Sequence, residues 1–299
     1  RETDLIIGLS VYMAVILFLG LSVYQAIQYA RMPLHSRMEL YPVPQEKGRH
    51  TYGGSYMEEP EWWKKPRQVS KISEIVDMLK EMLFIKKLFD NQRSLWWVSY
   101  SFHLGIYVLI GWTILLVIGV LTEFAGASVS LHASLWTGLV YYLTIMTGVV
   151  GFTITTAGTF FLLVRRIFNP VLKKYTTPQE YFNLILLLAT LVTGIIVWGP
   201  DLTFNTARQV TAQVLTLSVV PSTSLVIHLI LLEVMFVYIP PSKMGHYIGK
   251  YFTYHKILWE NEPNTAGSPM ESKVKAALNQ RATTFWSAPH MESPSVPEA

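Results

Sequence analysis

Five long stretches without Asp, Glu, Lys or Arg constrain this chain more than any other feature. They cover residues 5–30, 94–122, 124–164, 181–200 and 209–232. A helix needs about 20 mostly apolar residues to cross the hydrocarbon core of a bilayer, and each stretch reaches that length. The third is long enough for a helix plus a re-entering loop, and the fifth has polar positions before Pro221. The sequence therefore predicts an all-α membrane protein with five transmembrane helices in a bundle.

The composition agrees with a membrane protein and limits its metal chemistry. Only 15% of the 299 residues are charged, whereas soluble domains average about 25%. The chain has no cysteine, so it can neither hold an iron–sulfur cluster through thiolates nor attach haem covalently. Histidine, methionine or a carboxylate would have to hold any metal cofactor.

The distribution of basic residues predicts the orientation. Twenty-two of the 24 Lys and Arg residues lie in 31–93, in 165–174 or after residue 238, which five crossings would place on one side. The positive-inside rule then puts the N-terminus outside and the C-terminus in the cytoplasm, with the chain in the cell's inner membrane. The net charge of +4 thus reflects topology, and no basic fold indicates nucleic-acid binding.

We divide the chain into four parts on this basis. Residues 1–30 form the first transmembrane helix, 31–93 a cytoplasmic loop, 94–256 a part with helices 2–5, and 257–299 a cytoplasmic tail. Within the loop, residues 41–67 look irregular, and an amphipathic helix covers about 70–90. Its apolar stripe predicts a helix on the membrane surface or one that docks a cytoplasmic partner. The tail is disordered or held by a partner.

Two histidines in the last hydrophobic segment suggest a transmembrane electron path. His228 and His246 are 18 residues apart, which is five helical turns and about 27 Å of rise, close to the roughly 30 Å bilayer core. His103 lies near the cytoplasmic end of helix 2. It can meet His246 if helix 5 continues past Pro240 and Pro241, which we expect to kink the helix rather than end it.

A second histidine pair, near the outer side of the membrane, is less complete. His228 faces the level of Trp112 and Thr113 in helix 2, where there is no histidine. His132 is the remaining candidate, and its depth matches only if helix 3 begins near residue 126. A histidine inside a membrane span is usually functional, although each of these could instead bond to a neighbouring helix. His132 could also accept a proton from a quinol, since its unperturbed pKa is near 6.5.

A carboxylate interrupts the same last span. Glu233 follows His228 by five residues and therefore lies about 140° around the helix from it. We expect Glu233 to point away from a group bound at His228. It would hydrogen-bond to a helix of another subunit or belong to a proton path.

Several motifs in residues 90–256 resemble one cytochrome b family. They are Phe102-His103-Leu104-Gly105, residues 163–170 with Arg165-Arg166 and Asn169-Pro170, Thr176-Thr177, and His228 followed by residues 239–246. The family is that of the respiratory nitrate reductase gamma subunit. It includes membrane subunits of heterodisulfide reductase and of the dissimilatory sulfite-reduction (DsrM-type) complex. Residues 85–97 and 254–264 resemble this second branch most.

The resemblance implies the cofactors, the ligands and the partners. Two b haems would lie between helices, with His103 and His246 as ligands of the inner haem and His228 as one ligand of the outer haem. Thr113 stands where the family has the other outer ligand. His132 then supplies that ligand, or the site is five-coordinate, or it is lost. Partners would be a cytoplasmic iron–sulfur subunit, further membrane and periplasmic redox subunits, and membrane lipid.

The expected function follows from these features. The chain would oxidise (mena)quinol near the outer face and pass electrons through the b haems to the iron–sulfur subunit. The terminal process would be sulfite, sulfur or heterodisulfide-type reduction. The rivals are a cofactor-free membrane anchor or transporter subunit, and a haem-containing quinone reductase that runs in the opposite direction.

Overall fold

The computed structural model describes residues 2–32, 38, 43–46, 55–66, 69–131, 134–260, 262 and 264–279. All regular secondary structure in these residues is helical, so the all-α prediction is confirmed for this part of the chain. The α-helices are α1 (Glu2–Arg31), α2 (Lys71–Phe84), α3 (Lys86–Asn91), α4 (Arg93–Phe124), α5 (Leu135–Phe168), α6 (Pro170–Tyr175), α7 (Pro178–Trp198), α8 (Asn205–Leu215), α9 (Thr223–Tyr238), α10 (His246–Phe252) and α11 (Pro269–Leu278).

Four of these helices are long and apolar enough to cross a membrane. They are α1 from Asp4 onward, α4, α5 and α7. A fifth crossing results if Thr223–Tyr238 and Lys243–Leu258 together form one broken span. Four of the five predicted stretches therefore correspond to unbroken helices. The fifth, 209–232, covers most of α8, the following loop and only the first part of the bent pair.

The ends of α5 and α7 show why the helices begin where they do. Ser134 caps α5. Its hydroxyl accepts from the Thr137 amide at 3.2 Å, and the Thr137 hydroxyl accepts from the Ser134 amide at 3.0 Å. Thr177 and Glu180 form a similar box at the start of α7, where Pro178 occupies the first helical position. Such boxes satisfy backbone N–H groups that have no partner within the helix. Helix α5 thus starts at Leu135 and not near residue 126.

Small residues allow α4 and α5 to pack closely. A side chain at Gly158 would lie 2.9 Å from the Phe102 backbone, and one at Gly151 would lie 2.9 Å from Leu109. A side chain at Gly105 would overlap the Thr155 hydroxyl. In a membrane, close backbone approach through small residues replaces the hydrophobic effect as the source of helix association. This contact fixes the position of His103, which follows Phe102.

The last span is broken, which corrects one expectation. We expected a single kinked helix to carry both His228 and His246. Instead α9 ends at Tyr238, and the following segment from Lys243 is bent from it by 64°. Two consecutive prolines remove two backbone donors and crowd the preceding turn. The 27 Å rise expected between the two histidines therefore does not apply.

The predicted amphipathic helix forms in two pieces. Helix α2 ends at Phe84, and α3 begins at Lys86 after Ile85, which has a left-handed backbone (φ 53°). The apolar stripe predicted for this helix is largely exposed: Ile72 is 77% exposed, and Ile75, Val76, Leu79 and Leu83 are each above 40%. An exposed apolar stripe suits a membrane surface or a partner.

The chain divides into two compact units. The first contains residues 1–30 and 72–252, and it holds all the membrane-crossing helices up to Phe252. The second contains residues 31–71 and 253–299. Within it, Gln45 donates to the Trp259 carbonyl at 2.5 Å, and the rings of Tyr254 and Trp259 lie 4.5 Å apart. Two side chains of the predicted tail, Trp259 and Met270, are buried.

Candidate functional site

His103 is a half-buried residue on α4 with one ring nitrogen already engaged. Its Nδ1 lies 2.7 Å from the Ser99 carbonyl oxygen, one turn earlier on the same helix. A carbonyl oxygen can only accept, so Nδ1 carries the proton and donates it. The other nitrogen, Nε2, then has a free lone pair. Metal-ligating histidines typically have this arrangement.

His246 repeats the same arrangement on a different segment. It is the first residue of α10, and its Nδ1 lies 3.1 Å from the Lys243 carbonyl oxygen. The proton again resides on Nδ1, and Nε2 carries the lone pair. The carbonyl belongs to the short 3-10 turn Lys243–Gly245, which follows the double proline. The break in the last span therefore orients this ring.

The two rings lie close together. Their centroids are 6.1 Å apart and their planes differ by 76°. Two imidazoles on one metal ion have centroids about 6 Å apart, since each metal–nitrogen bond is about 2 Å and each ring nitrogen is roughly 1 Å from its centroid. The donor set and the spacing are those that a metal ion held by two histidines would need. The expected meeting of His103 and His246 occurs, although by a broken span.

A lysine accompanies the histidine pair. Lys250, one turn after His246, is close enough to act electrostatically on both rings. Its ammonium lies 3.6 Å from a carboxylate oxygen of Glu81, a buried residue of α2. Glu81 also accepts from the Lys87 backbone at 2.7 Å. The amphipathic helix is therefore tied to the segment that carries the pair.

His228 has a different environment. It is 6% exposed and packs against α7, where its Nδ1 lies 3.1 Å from the Thr193 hydroxyl and its ring meets Trp198 edge to face at 5.7 Å. A side chain at Gly194 would lie 3.1 Å from its ring. Thr113 of α4 is exposed and bonds to its own helix at Leu109. Threonine and tryptophan thus surround His228 where a second ligand was expected.

The outer site therefore lacks a histidine pair in the described part of the chain. His132 lies outside the described residues. A depth that matches His228 requires helix 3 to begin near residue 126, but α5 begins at Leu135. Of the described histidines, His103 and His246 are the two whose rings lie within about 6 Å of each other. No group of three or more His, Cys, Asp or Glu residues suited to a metal ion occurs in the described ranges.

An apolar cluster fills the bundle on this side. Trp112 of α4 meets Phe152 of α5 and Phe204 at 5.3 Å each, with the rings edge to face. Leu225 and Leu229 of α9 belong to the same buried cluster. Phe204 is only 3% exposed although its backbone is left-handed (φ 55°), which is costly for a bulky residue. Packing in this cluster holds it there.

Glu233 has a partner within the chain. The Ser10 hydroxyl of α1 lies 2.9 Å from its Oε1. The Glu233 carboxyl group therefore has a hydrogen-bond partner without a helix of another subunit. The contact instead connects α1 to α9, and Phe18 and Phe236 pack between the same helices at 5.6 Å.

A cavity that the sequence did not predict lies between α5 and α7. Its volume is about 610 Å³, and its walls run from Gly148 to Phe161 on α5 and from Leu188 to Phe204 on α7 and the following loop. Two buried polar atoms near it have no hydrogen-bond partner: the Thr156 hydroxyl in its wall and Trp112 Nε1. Buried polar groups are nearly always paired, so such atoms call for an explanation.

The comparisons with known proteins add no relative. The chain matched no protein-family model, no curated protein and no solved structure.

Proposed function

We propose that this chain is the membrane cytochrome b subunit of a quinol-oxidising respiratory complex. The observation that carries the proposal is the inner histidine pair, with two free Nε2 lone pairs and ring centroids 6.1 Å apart. The four to five helices able to cross a membrane supply the setting. The family resemblance supports the same interpretation, and it favours sulfite, sulfur or heterodisulfide-type reduction as the terminal process.

His103 and His246 would hold the inner b haem, which supplies reversible one-electron chemistry when bound. The chain's own contribution is to orient both rings through Ser99 and Lys243, so that neither needs to reorganise. Lys250 supplies a cation beside the pair, suited to the carboxylates of such a group. A second haem at His228 stays a prediction, with His132 as its proposed further ligand.

Quinol would be oxidised near the outer face, in a five-span topology with the N-terminus outside. Each quinol loses two electrons and two protons and becomes a quinone, and the protons leave on the outer side. The electrons pass to a cytoplasmic iron–sulfur subunit, since these 299 residues contain no cysteine to hold such a cluster. The exposed stripe of α2 is a candidate contact for that subunit.

A reduced-minus-oxidised absorption spectrum of the full chain, purified from membranes, tests the proposal. We expect the α band of a b-type haem and at least one haem per chain. Absence of the band after expression with adequate haem supply would favour a cofactor-free anchor or transporter subunit. Reduction of the haem by menaquinol, in the presence and absence of the partner subunits, then distinguishes quinol oxidation from quinone reduction.

A further inference from the structure

The C-terminal turn of α2 is bonded to both segments that carry the inner histidine pair. The last four carbonyl groups of an α-helix have no partner within the helix. In α2, three of these groups accept from side chains of α4 and α10: the carbonyls of Phe84, Met82 and Glu81 accept from Trp96, Tyr107 and Lys250, at 2.7, 2.9 and 3.5 Å. Helix α4 carries His103, and α10 begins with His246. The end of α2 is therefore fixed relative to both histidines.

Aromatic packing adds to this attachment. The rings of Phe84 and Tyr100 stack with their centroids 6.1 Å apart, and Tyr100 stacks in turn on Trp96 at 4.7 Å. Tyr100 comes three residues before His103, so these rings lie at the turn of α4 that leads to the histidine. Aromatic pairs of this kind add stability beyond the area that they bury. Hydrogen bonds and ring contacts thus both hold α2 beside the pair.

A buried carboxylate lies at this end of α2. The side chain of Glu81 is 9% exposed, and its Oε1 lies 3.6 Å from the Lys250 ammonium. Its Oε2 accepts from the Lys87 amide at 2.7 Å, so both carboxylate oxygens are engaged. The backbone carbonyl of Glu81 accepts from the same Lys250 ammonium. Lys250 thus has two acceptors on one residue, which hold its charge at a defined place.

Lys250 is a cation that acts on both rings of the pair. Its electrostatic effect reaches the imidazoles of His103 and His246. Lys243 is closer to His246 in sequence, but its ammonium lies 3.4 Å from the Thr177 hydroxyl. The Glu81–Lys250 ion pair therefore places one positive and one negative charge near the two imidazoles.

A fixed charge near a redox group changes its reduction potential. Reduction of a metal group adds one negative charge, so a nearby cation stabilises the reduced state and a nearby anion stabilises the oxidised state. These effects are larger away from bulk water, because the effective dielectric constant is lower there. Lys250 and Glu81 should thus act in opposite directions on a metal group that the histidines hold.

We propose that the Glu81–Lys250 ion pair sets the reduction potential of the haem held by His103 and His246, with Lys250 favouring the reduced state and Glu81 the oxidised state. This inference rests on the proposed function and assigns two residues that tune its inner site. Because Glu81 belongs to α2, the potential depends on where the end of α2 lies.

Spectroelectrochemical titration of the haem in the purified full chain tests the inference. Lys250→Gln should lower the reduction equilibrium constant about five- to twentyfold, the scale of one unit charge acting over roughly 10–15 Å at an effective dielectric constant near 20. For a one-electron couple this is about 40–80 mV. Glu81→Gln should raise the constant about two- to fivefold, because the amide keeps an acceptor for Lys250 but removes the negative charge.

A more exposed ion pair on α2 provides matched controls. Lys80 and Asp77 lie 3.7 Å apart, and we expect Lys80→Gln and Asp77→Asn each to change the constant less than about twofold, because water screens surface charges. Lys250→Arg keeps the positive charge and should stay within about twofold of the wild-type constant.

Shifts of the same sign in Lys250→Gln and Glu81→Gln would overturn the inference. A site that is merely loosened admits water in both variants, and water favours the more highly charged oxidised state in both. Shifts no larger than those of the two controls would overturn it as well. Haem content is measured on the same samples: a chain without haem contradicts the proposed function and this inference together, whereas a haem-containing chain whose potential ignores both changes contradicts this inference alone.

Discussion

At the inner end of the bundle, His103 and His246 from two segments lie with ring centroids 6.1 Å apart, whereas at the outer end His228 lies against Thr193 and Trp198. At both ends the Nδ1 of a histidine lies within hydrogen-bond distance of an oxygen. The two ends differ in what lies beside the imidazole. The inner end offers a second imidazole, and the outer end offers aromatic rings and a nearby cavity. The inner end thus brings two imidazoles close together, and the outer end surrounds one histidine with aromatic rings and a hydroxyl.

The largest expected effect is the loss of haem from two of three histidine variants. His103→Ala and His246→Ala should each remove the inner haem, because one remaining imidazole cannot hold it on both faces. His228→Ala should leave that haem in place. Haem content per chain, measured by pyridine haemochrome after purification, checks this. Equal haem loss in all three variants would show that the two ends are not distinct.

A second prediction concerns the spacing of α4 and α5 at the inner end. Gly158→Leu should destabilise the protein by about 3 kcal/mol or more, because the new side chain meets the Phe102 backbone at 2.9 Å. Gly111→Leu on α4 is the control, since nothing lies within 4 Å of a side chain placed there. Unfolding in increasing SDS measures both. Equal stability of the two variants would show that this close contact does not determine the fold.

The outer end relies on a buried ion pair instead. Arg208 donates to Glu123 at 2.7 Å, and its side chain is 4% exposed. Glu123→Gln should cost about 1–3 kcal/mol, because it leaves a buried guanidinium without its carboxylate. Glu271→Gln, which removes the surface ion pair with Lys275, should cost much less. Similar losses for both would mean that the pair does not secure α8.

The smallest effect is a pH dependence at the outer loop. Burial acts to raise the pKa of Asp201, but hydrogen bonds from Thr203 and Thr206 outweigh it and hold the pKa below its ordinary 3.8. A lowered pKa in the folded state contributes stability above the unfolded pKa, and this is lost as pH falls through the folded pKa. We expect faster amide exchange at Thr206 only below about pH 4. Asp201→Asn should reduce that pH dependence, and an unchanged profile would exclude this cause.

Part of this fold follows directly from the sequence. Charge-free stretches predict α1, α4 and α7 well, because charges flank each crossing. The stretch 124–164 merges a loop with α5, since the outer connection also lacks charge. The capping box at Ser134 and Thr137 is the local signal that marks the true start.

The sequence predicts that His103 and His246 lie close together, but it does not predict the surroundings of His228. Depth along a helix follows from residue count, so His103 and His246 were expected at one level. Which neighbour His228 faces depends on how α9 rotates against α7, and that is set by Gly194 and the surrounding rings. The cavity arises from the packing of α5 on α7. The double proline was visible, but its 64° bend depends on tertiary contacts.

Electron paramagnetic resonance of the oxidised full chain tests most directly whether His103 and His246 share one iron. Two axial imidazoles give low-spin ferric haem, and planes 76° apart predict a strongly anisotropic low-spin signal. We expect that signal in the wild-type chain and in His228→Ala, and its loss in His246→Ala. Only high-spin haem in the wild-type chain, or an unchanged low-spin signal in His246→Ala, would contradict the account.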